Sequence, residues 1–360
     1  MRPVYFLGIF IPVAIAVELA HASPTLVFGA AALGVIPCAA VMGEATEAIA
    51  ARTGPGIGGL LNVTFGNAPE LIIAFFALIE GLQEVVKASL VGSIIGNVLL
   101  VLGASMFVGG WTREKQTFSR TAANAQSAML TLAVAALVFP ALFQLIHGSR
   151  LPPVGAENLE FGTDVEHLSL GVALVLLVSY AAGLYFSLKT HRDVFNPYHE
   201  TAEEEHHPWP VKRAAIYLAL AAVAVGVMSE ILVGSITEAS EKIGLSEFFV
   251  GVFIVAIVGN AAEHWVAVLV AAKDKMDLAV NIAIGSSAQI ALFVAPVLVL
   301  LSFVVGDDPL ALVFNGYELG ALLFAVLIAN LVTQDGESNW FEGVQLVALY
   351  AVLGLVFYYA

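Results

Sequence analysis

Gly66-Asn67-Ala68-Pro69-Glu70 recurs 193 residues later as Gly259-Asn260-Ala261-Ala262-Glu263, and each copy lies inside a long apolar run. At the same offset Gly92-Ser93 is matched by Gly285-Ser286, and at an offset of 191 Thr46-Glu47-Ala48 is matched by Thr237-Glu238-Ala239. Three motifs kept in order mark an internal duplication far better than one pentapeptide would.

The chain around these motifs has 360 residues, of which 59% are hydrophobic and 12% charged, with a mean hydropathy of +0.91. A soluble domain of this length would lack the polar residues to cover its exterior. A soluble enzyme, a disordered chain and a nucleic-acid binder are therefore excluded, and runs this long do not read as barrel strands. The remaining class is an all-α polytopic membrane protein, because helices satisfy their own backbone in lipid. At about 20 apolar residues per crossing, eleven spans are expected, over 4–20, 25–50, 57–81, 88–109, 121–146, 167–189, 211–233, 247–271, 278–305, 309–332 and 342–359. The predicted organisation is an N-terminal helix in 1–22, a first five-helix repeat in 23–190, an acidic linker in 191–210 and a second repeat in 211–360. Arg2, the apolar run and Ala20-His21-Ala22 also fit a cleavable leader. A retained helix is the preferred reading, since the chain is described from Met1. Cys38 has no partner cysteine for a disulfide.

Positive charge sets the orientation. With alternating spans, eleven Lys and Arg fall on the N-terminal side (Arg2 to Lys275) and three on the other (Lys87, Arg150 and Lys242). The N-terminus is therefore expected in the cytoplasm and the C-terminus outside. Spans three and eight then run in opposite directions, so the two repeats are inverted. Inverted repeats characterise secondary transporters, whose sites lie near mid-membrane where the repeats meet. The formal charge of −15 favours cations as partners.

Glu70 and Glu263 fall near the middle of their spans, where a carboxylate is a functional candidate by default. Desolvation and mutual repulsion both penalise an ionised pair there, so the pair calls for protons or a cation. A hard divalent ion such as Ca2+ takes six to eight oxygens and tolerates irregular geometry. Asn67 and Asn260, three residues earlier on the same faces, offer amide oxygens. Pro69 has no N–H, which frees the carbonyl of Phe65 for an ion or a water. The metal set read here is thus Glu70, Glu263, Asn67 and the Phe65 carbonyl. Spans four and nine add Asn97 and Gln289, neutral amides at mid-depth. His264 is a candidate proton relay, and Glu44, Glu47 and Glu238 are candidates for a cation access path. There is no HExxH pair and no Gly-x-Ser-x-Gly elbow at a usable depth, so no enzyme is expected and no cofactor is implied.

Gly-Asn-Ala-Pro-Glu with Gly-Asn-Ala-Ala-Glu-His, followed by Gly92-Ser-Ile-Ile-Gly-Asn97 and Gly285-Ser-Ser-Ala-Gln-Ile290, resembles the calcium/proton antiporters. These are the cation/proton exchanger (CAX) branch of the calcium/cation antiporter superfamily, and the resemblance runs over nearly the whole chain. It implies that Glu70 and Glu263 take Ca2+ and H+ in competition, helped by Asn67, Asn260, Ser93, Asn97, Ser286 and Gln289. It also implies that Glu200, Glu203, Glu204 and Glu205 gather or sense cytoplasmic Ca2+. Related sodium/calcium exchangers keep an acidic residue where this chain has Gln289, which favours proton coupling. Gly96 departs from the family pattern, standing where many relatives carry serine. The expected activity is Ca2+ export against H+ by alternating access. A Na+/Ca2+ exchanger and a broader divalent (Mn2+)/H+ antiporter are the alternatives. The expected partners are Ca2+, H+, the bilayer and, in a homo-oligomer, a second copy; the expected location is the plasma membrane if the source is prokaryotic.

Overall fold

Apolar runs that must pair their own backbone become helices, and the computed structural model is built almost entirely of them. It describes residues 3–156, 161–190, 209–305 and 308–360. The elements are α1 (Phe10–Leu19, preceded by a 3-10 stretch Pro3–Ile9), α2 (Pro24–Gly66), α3 (Ala68–Ile79), α4 (Gln83–Gly110), α5 (Arg120–Ile146) and α6 (Thr163–Thr190). The second half holds α7 (Val211–Gly234), α8 (Ile236–Ile243), α9 (Glu247–Ala272), α10 (Met276–Ser302), α11 (Gly316–Val332) and α12 (Trp340–Tyr358). Among the described residues, eight helical stretches are long and apolar enough to cross a membrane, and three apolar ones, Val4–Leu19, Ala68–Ile79 and Gly316–Val332, are shorter.

Three boundaries differ from the sequence expectation. Hydropathy separates the second and third spans between 50 and 57, but α2 runs unbroken through Gly54-Pro55-Gly56 and stops at Gly66. The break sits instead at Asn67 (φ −94°, ψ 15°), inside the first motif. Proline is tolerated in the first turn of a helix and excludes the carbonyl four residues earlier, so Pro69 opens α3 and ends α2. Hydropathy starts the tenth span at 309, but α11 starts at Gly316. Asn315 accepts from the N–H groups of Tyr317 and Glu318 while Glu318 accepts from the Asn315 N–H, a reciprocal cap that fixes the start. The preceding stretch 310–314 is non-helical yet buried. Ser302 Oγ and Ser169 Oγ accept from the N–H groups of Leu310 and Leu312, and Lys87 Nζ donates to Val313 O at 3.1 Å. Irregular backbone inside a membrane protein needs this kind of internal satisfaction. Lys87, counted above among loop charges, is thus buried (7% exposed) in the first turns of α4, which begins five residues before the expected 88.

Packing places the two motif helices at the centre. α2 lies along α7, with α1 and α3 beside them. α4 crosses α9 at backbone contact: a Cβ on Gly92 would collide with Val252 O, and one on Gly251 would lie 2.9 Å from Ala88 Cβ. Small residues permit this approach in membranes, where dispersion packing replaces hydrophobic driving force. One end of the bundle is clamped. β1 (Gln116–Thr117) pairs antiparallel with β2 (Glu337–Ser338), Arg113 donates to Gly109 O and Ala272 O, and Gln116 Nε2 reaches Ala271 O and Asp274. Asp274 holds a left-handed turn (φ 62°) between α9 and α10.

Candidate functional site

The interrupted helix puts Glu70 in the first turn of α3, at the positive end of its dipole. The second copy is built differently. Ala262 keeps its N–H, so Glu263 sits within an uninterrupted stretch of α9, and the local distortion appears upstream as a π-turn, Val250–Val255. α4 carries a π-turn at Gly96–Val101, and α10 carries two, Asn281–Gly285 and Ile290–Val294. Shifted by 193 residues, the α4 turn overlies the second α10 turn to within one residue. Such turns are rare and gather at functional sites.

Seven of the eight motif residues form separate hydrogen-bonded pairs between helices, and Glu70 lies beside them without one. Asn67 Nδ2 donates to Gln289 Oε1 at 2.6 Å, joining the α2–α3 break to α10. Asn260 Nδ2 donates to Ser93 Oγ at 2.9 Å and to Ala256 O at 2.8 Å, joining α9 to α4. Ser286 Oγ donates to Glu263 Oε2 at 2.7 Å. His264 Nε2 meets Asn97 Oδ1 at 3.0 Å, so the histidine joins the site through an amide. The motif glycines seat the opposite glutamates: a Cβ on Gly66 would lie 3.3 Å from Glu263 Oε1, and one on Gly259 would lie 3.2 Å from Glu70 Cγ. The two carboxyl groups feel each other electrostatically.

The chemistry follows from what is left over. Glu70 is 8% exposed, and among the described residues neither of its oxygens has a hydrogen-bond donor; the same holds for Asn260 Oδ1. Buried acceptors without donors are costly. A site of surplus oxygens suits a proton or a hard cation, which supplies what the protein does not. Glu70 opens on a narrow cavity lined also by Ile73, Ser89, Ser93, Val255 and Ile290. Among the described residues no three His, Cys, Asp or Glu side chains come together, so the site has two carboxylates and neutral oxygens.

The other predicted residues are less central. The Phe65 carbonyl does lose its helical partner to Pro69, but the N–H of Asn67 takes it up. Glu44 is half-buried on α2, and Glu47 and Glu238 are exposed; Glu47 lies within electrostatic reach of Glu263. Glu200, Glu203, Glu204 and Glu205 lie outside the described residues. Sequence reasoning missed Ser89, although it stands four residues before Ser93 on one helical face. It also missed Ser287, whose Oγ donates to Ala283 O and reaches Ile94 O.

Comparison with known proteins adds an independent finding. A family model described as sodium/calcium exchanger protein matches residues 23–189 and 213–359. A protein of Synechocystis named Ca(2+)/H(+) antiporter is 44% identical, over 98% of this chain and 95% of its own length. The Bacillus subtilis protein named Ca(2+)/H(+) antiporter ChaA is 44% identical over 97% of this chain and 96% of its own. The solved structure of native YfkE superposes with a TM-score of 0.82 at 40% identity, covering 99% of this chain and 100% of that one.

Proposed function

We infer, from the premise that this chain belongs to the sodium/calcium exchanger protein family, that it exports Ca2+ in exchange for H+. It is an integral multi-pass membrane protein. The single observation carrying the ion assignment is the donor-free pair of Glu70 oxygens, buried opposite Glu263 and framed by amides and hydroxyls. The names borne by relatives at 44% identity, both Ca(2+)/H(+) antiporters, support the same reading. Glu70, Glu263 and the oxygens of Asn67 and Asn260 hold Ca2+, with Ser93, Asn97, Ser286 and Gln289 completing the surround.

Exchange follows from the cost of the empty state. Two bare carboxylates in a low-dielectric site are strongly penalised, whereas Ca2+ or protons neutralise them. Only occupied forms cross between the two faces, so one ion leaves when the other enters. The repeats 23–190 and 211–360 are read as inverted copies, with α2 and α7 sliding against the remainder to alternate access. His264, oriented by Asn97, serves as a proton relay, and Glu44, Glu47 and Glu238 draw cations in. The acidic stretch 200–205 recruits cytoplasmic Ca2+, the N-terminus is cytoplasmic and the C-terminus faces outward, in the plasma membrane if the source is prokaryotic.

Reconstituted vesicles test this. A pH gradient drives 45Ca2+ uptake, a sodium gradient at fixed pH does not, and Mn2+ competition measures breadth. Raising H+ on the Ca2+-binding side increases the Ca2+ needed for half-saturation, since a protonated carboxyl cannot hold the metal. Glu70→Gln and Glu263→Gln each lower uptake to the background of empty vesicles; wild-type rates in either variant would overturn the assignment.

A further inference from the structure

We propose that Gln126 is a positioning residue, holding through Asn281 the π-turn that aims Ser286 at Glu263. The proposal rests on the ion-exchange reading above and concerns residues in neither motif. Gln126 on α5 donates its Nε2 to Asn281 Oδ1 on α10. Asn281 opens the π-turn Asn281–Gly285, and the next residue is Ser286, whose hydroxyl holds Glu263 Oε2. Both amides are partly buried, and they cover Gly285: a Cβ there would lie 3.2 Å from Asn281 Oδ1 and 3.5 Å from Gln126 Nε2.

A π-turn carries one residue more than an α-turn, at poorer hydrogen-bond geometry. If its anchor is lost, the turn relaxes toward α-helix. Everything after it then rotates by about 100°, the angle of one residue at 3.6 per turn. That rotation carries Ser286 away from Glu263 and disturbs Gln289, which accepts from Asn67. α5 is a firm anchor. Its start is tied to α10 by the Ser119 N–H on Asp277 Oδ1, and its middle to α11 by Ser127 on Thr333 and Asn330 on Thr131.

The other repeat carries a polar pin in the same place. Lys87 on α4 stands six residues before Ser93, as Asn281 stands five before Ser286, and Lys87 lies within electrostatic reach of Glu318 on α11 while donating to Val313 O. At the 193-residue offset, Lys87 falls one residue from Asn281 and Glu318 one from Gln126. Each helix that presents a site serine is therefore held about one and a half turns before it by a hydrogen bond to the other half, once between two amides and once from Lys87 to the Val313 carbonyl.

The test is Ca2+-concentration dependence of H+-driven uptake in vesicles holding the full chain. Gln126→Leu and Asn281→Leu are expected to raise the half-saturating Ca2+ by about tenfold, the scale of one hydrogen bond to a charged group, with the maximal rate within about twofold. Asn281→Asp, which keeps the Oδ1 acceptor, is expected near wild type. In a Ser286→Ala background Gln126→Leu should add clearly less than it does in the wild type, because both changes break the Ser286–Glu263 contact and only the disturbance of Gln289 remains. Unchanged half-saturation in Gln126→Leu, or an equal increment in both backgrounds, overturns the proposal. If Gln126→Leu does not yield folded protein, the Asn281→Asp and Asn281→Leu pair decides, equal values refuting it. Wild-type vesicles that move no Ca2+ would instead remove the exchange reading itself.

Discussion

Glu70 and Glu263 are equivalent in sequence and inequivalent in surroundings. Glu263 has a hydroxyl donor in Ser286, whereas Glu70 has helix α3's first turn and no donor among the described residues. On the proposed reading, release of the ion leaves Glu70 the less compensated of the two carboxylates. The glycines around them have a different duty. Gly92 lets α4 touch the α9 backbone, and an added Cβ would run into Val252 O with no flexible atom to yield. Gly92→Ala should destabilise the folded protein by about 3 kcal/mol, at the upper end of overpacking penalties, read as a lower melting temperature in detergent. Gly96 has open space where a methyl group would stand, with nothing within 4 Å, and should accept alanine with no such loss.

At the scale of elements, Pro69 makes the two halves differ. It ends α2, opens α3 and places Glu70 at a helix start, while Ala262 leaves α9 continuous at Glu263. Pro69→Ala restores the N–H that the Phe65 carbonyl lacks and favours fusing α2 to α3. We expect melting temperature to hold or rise and transport to fall severalfold, measured on the same purified sample. This element also shows where sequence reading reaches and where it stops. Apolar length finds the helices, and the repeated motifs with the mid-span amides Asn97 and Gln289 find the acids and amides that the structure brings together, because such groups at mid-membrane carry their own cost, whereas Ser89 and Ser287 carry none that the sequence displays. Hydropathy does not place the break at Asn67 or start α11 at Gly316, since both are decided by single hydrogen-bonding groups, a missing proline N–H and the Asn315–Glu318 cap. Lys87 reads as a loop charge because its partners, Val313 O and Glu318, lie more than 220 residues along the chain. Gln126 and Asn281 carry no motif and emerge only from contact between α5 and α10.

Across the whole molecule, the site is a meeting of halves: Asn67 with Gln289, Ser93 with Asn260 and Asn97 with His264 each join residues from the two sides of the 191–210 linker. The clamp at the bundle's end repeats that pattern, pairing Gln116 with Ser338 and Thr117 with Glu337 through backbone, with Lys115 on Glu337 at 2.6 Å and Arg113 beside Asp274. Glu337 raises the Lys115 ammonium above its ordinary range by accepting its hydrogen bond, so this exposed ion pair persists through neutral pH.

The helix packing between the halves, with the little β1–β2 ladder added at one end, predicts that they recognise each other without a covalent connection. Two polypeptides, 1–190 and 209–360, co-expressed without a peptide bond between them, should find each other in the bilayer, co-purify on a tag carried by one, and restore Ca2+ uptake. Disrupting the ladder with Thr117→Pro should weaken that reunion in the severed form far more than it harms the single chain.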